Sequence, residues 1–531
     1  MNIFHDHDQF EKLLVAVQKK PTAKGHAEVA RAYNLRSYYG RAIEHAEAGI
    51  ALDNREWDAW YELVLASGFK NYRELEGIKD RLEIFMDAPD RESPVEPGLY
   101  RDLALINYFL EQDVLARSLI EKSLEYNPDD PVTFEVNGYV EHACGNYQAA
   151  LESFARSVEL NPESCRSMRM IGKCYLDKGI PEKGIIKIEQ ALRLEPCFVA
   201  AWHLLGEYFL DQTDLLKGLQ SFARARSINP EDWGSYFFLA EYFMGRGDHD
   251  IAIAEIKKLF LFEHDKEIRA EALNLMGYAH LMQNNTDDAR HCFNSAVAFN
   301  PDYALGFFNL GELELQERQY PKAIHFYGEA LKRDPHHIPS ITQTGFALLN
   351  MKDTDRAEEM FRIAVEMDAS EVSAYLGLSE CSRSRRRFRE QLEFCLTAFN
   401  LNPQNSEVLN YLGIAYQCNQ EPARAETAYL ISLQLDPGNR KTANNLAYLY
   451  EKQFKKSDST ADATIFRDKA IQAWEVRLLA CRSAGTSIRG AENHLLNLGV
   501  PKKAIENLLR LADVEELPLI QQLKNAKLRL D

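Results

Sequence analysis

The sequence predicts an all-α chain assembled from one repeated helix–turn–helix unit. Three observations predict it: a proline beat, columns of small residues in step with that beat, and no alternating strand pattern. Prolines stand 34 residues apart at Pro128, Pro162, Pro196 and Pro230. The beat resumes at Pro301 and Pro335, and again at Pro403 and Pro437. His264 and Ala369 hold the intervening beats, and about three extra residues after His264 absorb the shift before Pro301.

Each column has a physical reason. The first helix of a unit carries a large apolar residue (Phe134, Met168, Trp202, Leu273, Phe307, Ile341, Tyr375, Leu409) and then a glycine (Gly138, Gly172, Gly206, Gly277, Gly311, Gly345, Gly413). The second helix opens on a small residue such as Ala150, Gly184, Gly218 or Ala289, and carries another near its end, such as Ala191, Ala225 or Ala296. Small residues belong where two helices approach closely, and large ones fill the remaining space. The proline follows the second helix and stops it, because it has no N–H to donate. A short polar turn, such as Gln283-Asn284-Asn285-Thr286, separates the two helices.

Outside the regular beat the pattern is weaker but still readable. Phe10–Lys19 reads as a lone amphipathic helix within an N-terminal cap, 1–22. Degenerate units fill 23–96, with an insertion at 88–96. The regular array runs over 97–450. Residues 451–512 hold degenerate units, with an inserted loop at 452–466 that delays the second helix to Asp468–Arg482. The chain closes on a capping helix in 513–531. An array needs polar ends, and the terminal segments suit that role.

Composition narrows the function classes. Lys and Arg number 62 against 80 Asp and Glu, a net charge of −18. Such a chain repels nucleic acid and anionic membranes, so neither is expected as a partner. No apolar run reaches the roughly 18 residues of a membrane span, and the N-terminus shows no signal peptide. The nine cysteines are scattered singly and read as reduced core fillers in a cytoplasmic protein. No phosphate loop, metalloprotease helix, nucleophile elbow or dinucleotide fingerprint is present, so no enzyme activity, cofactor or metal is expected. His5-Asp6-His7-Asp8 and His336-His337 read as a tail and a loop rather than as metal ligands.

The 34-residue unit, with its large residue, Gly, Ala, aromatic, Ala and Pro in order, resembles the tetratricopeptide repeat family. The resemblance implies a right-handed α-α superhelix, a solenoid of about 13 units, whose first helices line a concave groove. Carried over by position, the groove residues of the earlier units are Arg166, Arg169, Lys173, His203, Phe237 and Phe238. Those of the later units are Asn274, Tyr278, Phe308, Asn309, Gln343, Phe346, Asn350, Asn410, Tyr411, Asn444 and Asn445. Amides suit an extended peptide because they donate and accept together, and aromatic rings add apolar anchors. The family's carboxylate-clamp pattern is absent, and its asparagine ladder is only partly present, at Asn309 and Asn445.

Arg383, Arg385, Arg386, Arg387 and Arg389 form the sharpest local charge, at a turn inside one unit. An acidic partner is the ligand such a cluster would take. The expected function is therefore a non-enzymatic interaction scaffold that binds a protein or peptide segment in its groove. The alternatives are a regulator responsive to a peptide or sugar, and a targeting subunit of a separately encoded enzyme. A second copy of the chain, through either degenerate end, is the further partner to consider.

Overall fold

The computed structural model describes residues 3–70, 74–87, 97–262, 265–457, 459–511 and 513–526, with side chains left undescribed at 3–8, 85–87, 97, 511 and 525. Thirty α-helices, one 3-10 turn and no strand occur among the described residues. The insertion 88–96 and His264 lie outside the described residues, as do the side chains of His5 and His7. The chain forms two compact units, 1–268 and 269–531, with the boundary inside helix Lys266–Met282.

Within each unit the helices form antiparallel pairs, from Ala23–Leu35 with Tyr39–Leu52 onward. The glycine column sets the distance between partners. A Cβ on Gly138 would meet Phe154 at 2.5 Å, on Gly277 it would meet Phe293 at 2.5 Å, and on Gly413 it would meet Tyr429 at 2.4 Å. The ring of the second helix lies directly against the backbone of the first, and only glycine leaves room for it.

The turn between partners repeats as closely. Its left-handed residue recurs at Glu111, Gly145, Gly179, Thr213 and Gly247, then Asn284, Arg318, Lys352, Arg386 and Gln420. The step from Gly247 to Asn284 contains the extra residues seen in the sequence. They lengthen the first helix of that pair, Lys266–Met282, to 17 residues against the usual 13. First helices start on oxygen caps where the sequence offers one: Asp130, Ser164, Asp232, Asn405 and Asn439 each accept a backbone N–H.

First helices of successive pairs touch one another, as Trp57–Lys70 touches Pro97–Phe109 and Val372–Ser384 touches Ser406–Cys418. No comparably close contact joins successive second helices among the described residues of the regular array. The first helices are therefore the inner, closely spaced layer of each unit and the second helices the outer, spread one.

Three elements differ from expectation. The N-terminal helix begins at Ile3 rather than Phe10. The stretch expected as a loop at 452–466 is largely helical: Arg440–Lys456 runs on, and after a short break Thr460–Ser483 begins, capped by Ser459, which accepts from the Asp462 N–H. Its residues Ala461 and Ala463 favour a helix once that cap is in place. The C-terminal cap is a 3-10 turn, Val514–Glu516, followed by helix Pro518–Asn525.

Candidate functional site

The inner layer of the first unit contains a buried polar network. Arg166 donates both Nη groups to Glu62, at 2.8 and 2.6 Å, across a sequence separation of 104 residues. Glu62 also accepts from Asn34 Nδ2 at 2.8 Å. Beside them Tyr61 donates to Glu135 at 2.6 Å, and the Ser164 and Ser167 hydroxyls donate to its other oxygen at 3.0 and 2.9 Å. The Arg166 guanidinium lies 5.6 Å from the centre of the Tyr61 ring. Burial alone would disfavour the Arg166 charge, but Glu62 outweighs it and holds the guanidinium firmly protonated.

Arg166, expected to offer a charge to a partner, is thus taken up by the chain's own Glu62. Helices Ala23–Leu35 and Trp57–Lys70 lie over the face from which Arg166 projects. Leu35 joins the core formed by Ile188, Phe198 and Leu205, and Asn229 Nδ2 donates to the Ser37 carbonyl at 3.2 Å. Tyr39 lies in the same contact, and burial pushes its hydroxyl up to about 12.

The inner layer stays open one turn further along. A cavity of about 210 Å³ is walled by Phe69, Tyr108, Phe109 and Tyr139 and edged by His142, Arg169 and Lys173. Arg169 rests over the Phe198 ring at 5.5 Å, and its buried Nε has no hydrogen-bond partner among the described residues. Lys173 reaches Asp177 at 3.5 Å, and Asp177 also accepts from His142 at 2.7 Å. Burial raises the Glu207 carboxyl, partly offset by His203 and Lys173.

The remaining expected residues of this unit are structural in their contacts. His203 Nε2 meets Asp232 at 2.6 Å and Ser235 at 2.9 Å. Burial would raise the Asp232 carboxyl, yet His203 and the Ser235 donors hold it below its usual range. Phe237 is only 8% exposed and packs on Trp233, because helix Trp233–Gly245 carries aromatic side chains on most of its faces. Phe238 is half-buried, edge-on to His203.

In the second unit several expected amides bond to each other. Asn309 Nδ2 donates to Asn274 at 2.5 Å and its carbonyl accepts from Tyr278 at 2.9 Å, and Asn445 donates to Asn410 at 2.9 Å. These residues stitch neighbouring first helices. Asn350 donates to its own helix at the Phe346 carbonyl, and Phe346 lies edge-on to Phe361. Gln343 and Asn444 are half-buried and have no hydrogen-bond partner among the described residues, and Tyr411 and Phe308 are likewise half-buried. Phe308 packs edge-on to His337 at 5.1 Å.

The arginine turn is largely neutralised within its own unit. Arg383 pairs with Glu380, Arg385 with Asp355 and Glu358, and Arg387 with Glu390 at 3.5 Å. Arg386 and Arg389 are exposed and pair with no carboxylate among the described residues. Buried thiols are pushed up, to about 11 at Cys165 and Cys174 and about 12 at Cys381 and Cys395, which keeps them protonated. No group of three or more metal-ligating side chains occurs among the described residues, and no described helix is long and apolar enough to cross a membrane.

Comparison with known proteins adds the family. Residues 274–338 and 344–406 match the model named "Tetratricopeptide repeat". Over those residues the chain carries tetratricopeptide repeats. Its relatives include tetratricopeptide repeat protein 6 of Homo sapiens, 32% identical over 68 residues, 13% of this chain and only 13% of that protein's length. They also include the BBSome complex member BBS4 homolog of Drosophila melanogaster, 21% identical over 388 residues, 72% of this chain and 67% of that protein. A crystal structure of the APC/C hetero-tetramer Cut9–Hcn1 aligns at 12% identity and TM-score 0.41, covering 88% of this chain and 95% of that chain.

Proposed function

We propose that this chain is a binding scaffold that holds a segment of a protein partner along the inner layer of first helices. The carrying observation is the cavity at Arg169, where two cations stand at the edge of an aromatic pocket and one buried guanidinium nitrogen lacks an acceptor among the described residues. A side chain carrying a carboxylate next to an apolar or aromatic body fills such a site: the ring enters the pocket and the carboxylate meets Arg169 and Lys173. Gln343 and Asn444, with Tyr411 and Phe308, give the second unit amides and rings for an extended segment. The membership of the fly relative in a multiprotein complex supports the same reading.

The test is a pull-down from source-cell extract with the intact chain beside Arg169→Glu/Lys173→Glu. A second variant, Gln343→Ala/Asn444→Ala, separates the two units. A stoichiometric protein retained by the wild type and lost with either variant, at unchanged melting temperature, supports the reading. A partner retained equally by both variants overturns it.

A further inference from the structure

The spread outer layer of the first unit contains a larger opening than the inner one. Between second helices Pro181–Leu194 and Leu215–Ile228 lies a cavity of about 530 Å³, walled from below by first helix Val199–Asp211. Its floor is apolar: Leu192 and Leu205 are buried, and Trp202, Phe209 and Ile228 are half-buried. The Trp202 indole donates to the Pro196 carbonyl at 2.9 Å, which holds the ring as one wall. A volume in this range suits the anchor side chains of a bound helix or a small apolar ligand.

The rim decides between occupants. Arg193, Lys217 and Arg224 stand exposed around the opening, against one carboxylate, Glu189, among the described lining residues. Arg193 lies 3.7 Å from Glu189, Lys217 is 3.0 Å from Asp214 and 5.0 Å from the centre of the Phe209 ring, and Arg224 has no carboxylate partner among the described residues. A cationic rim stands out on a chain whose net charge is −18. One turn before Glu189 on the same helix face, Ile186 is 54% exposed and lengthens the apolar strip.

We propose that this outer cavity is a second docking site, which takes an amphipathic helix of a protein partner whose apolar anchors are flanked by Asp and Glu. The anchors occupy the floor between Leu192, Trp202 and Phe209, and the flanking carboxylates meet Arg193, Lys217 and Arg224. The site faces away from the inner layer, so it neither needs nor excludes the partner proposed there. Together the two would let one array hold two segments at once.

The probe is a labelled, helix-favouring peptide of about 15 residues with Leu and Phe at i, i+3, i+4 and i+7 and Glu elsewhere, read by fluorescence anisotropy with the full chain. A twin peptide carries Lys in place of Glu. The acidic peptide is expected to bind at least about 10-fold tighter than its twin, and to weaken as salt screens the rim. Arg193→Glu/Arg224→Glu, two exposed positions, should lower its affinity by about 10-fold or more without moving the melting curve. Bound peptide should also slow alkylation of Cys197, which lines the cavity. Equal binding of the twins, or an acidic peptide that binds without shielding Cys197, overturns the proposal. If the double variant fails to fold, the wild type's salt dependence and Cys197 shielding decide it. Shielding of Cys197 by dodecanoate but not by the peptide overturns it in favour of a free amphiphile.

Discussion

At the scale of single residues, burial decides which charges are available. Glu62 and Arg166 are 5% and 13% exposed and bond to each other through both carboxylate oxygens and both Nη groups, so each is the other's charge partner. Removing one partner leaves a buried, uncompensated charge, whereas removing both leaves an apolar contact. Glu62→Gln is expected to cost about 3 kcal/mol in chemical denaturation, and Glu62→Leu/Arg166→Met distinctly less. Equal losses would mean that the pair is not coupled. Asp232 gives the pH counterpart. Its folded carboxyl titrates below its unfolded value, so its contribution is present above about pH 4 and is lost as pH falls through the folded value. Asp232→Asn should therefore flatten the acid limb of melting temperature against pH, and should leave the alkaline limb parallel to wild type.

None of this pairing could be read from sequence. Arg166 was legible as a first-helix cation, but its acceptor stands 104 residues away on a unit with an irregular beat. Asn309 and Asn445 were legible as repeated amides, while their mutual bonding depends on the distance between neighbouring first helices. Phe237 occupies an inner-layer position by count and is drawn into the core by the aromatic residues around it.

At the scale of the helix pair, the sequence was far more informative, because local sterics set the columns. Glycine at 138, 277 or 345 is the residue that admits the ring 16 positions later; where Ile256 or Cys395 stands in place of that ring, the column holds Ala240 or Ser379 instead. The left-handed turn position is a weaker constraint, and the chain violates it at several units. Thr213 adopts φ 61° there, a conformation disfavoured for a β-branched side chain, while Gly179 and Gly247 hold the same position one unit on either side. Thr213→Gly is expected to raise stability by about 1 kcal/mol. Gly345→Ala, which forces a Cβ to 2.7 Å from Phe361, is expected to lower it by about 1–3 kcal/mol. Denaturant midpoints of the two variants, moving in opposite directions, check the assignment; a loss on Thr213→Gly would refute it. The helix begun at Thr460 shows where local reading failed: a Lys- and Ser-rich stretch reads as loop unless Ser459 is recognised as the N-cap of a helix.

At the scale of the whole chain, an array of nearest-neighbour contacts transmits damage only to adjacent pairs. The central pairs of the second unit, from Ala304 to Leu401, fit that description. The first unit does not, because Glu62, Tyr61 and Ser37 bond to residues 166, 135 and 229, several pairs away. Those contacts close the unit into a cooperative body, so a lesion in helix Trp57–Lys70 should be felt across it. Hydrogen exchange with mass spectrometry separates the two behaviours. Glu62→Ala is expected to raise exchange in Trp57–Lys70 and also in Pro131–Ala143 and Cys165–Asp177, well beyond its own pair. Gly345→Ala should raise exchange only in Ile338–Asn350, Thr354–Met367 and the pairs next to them. If Glu62→Ala loosened only its own neighbours, the long-range network would be a set of separate bonds rather than a closure. The Arg169 cavity would then lose its rigid wall, since Phe69 comes from the same helix as Glu62. Binding at the inner face and exchange in Trp57–Lys70 are thus linked: a ligand that fills that cavity should protect the helix, and Glu62→Ala should weaken the ligand without touching it.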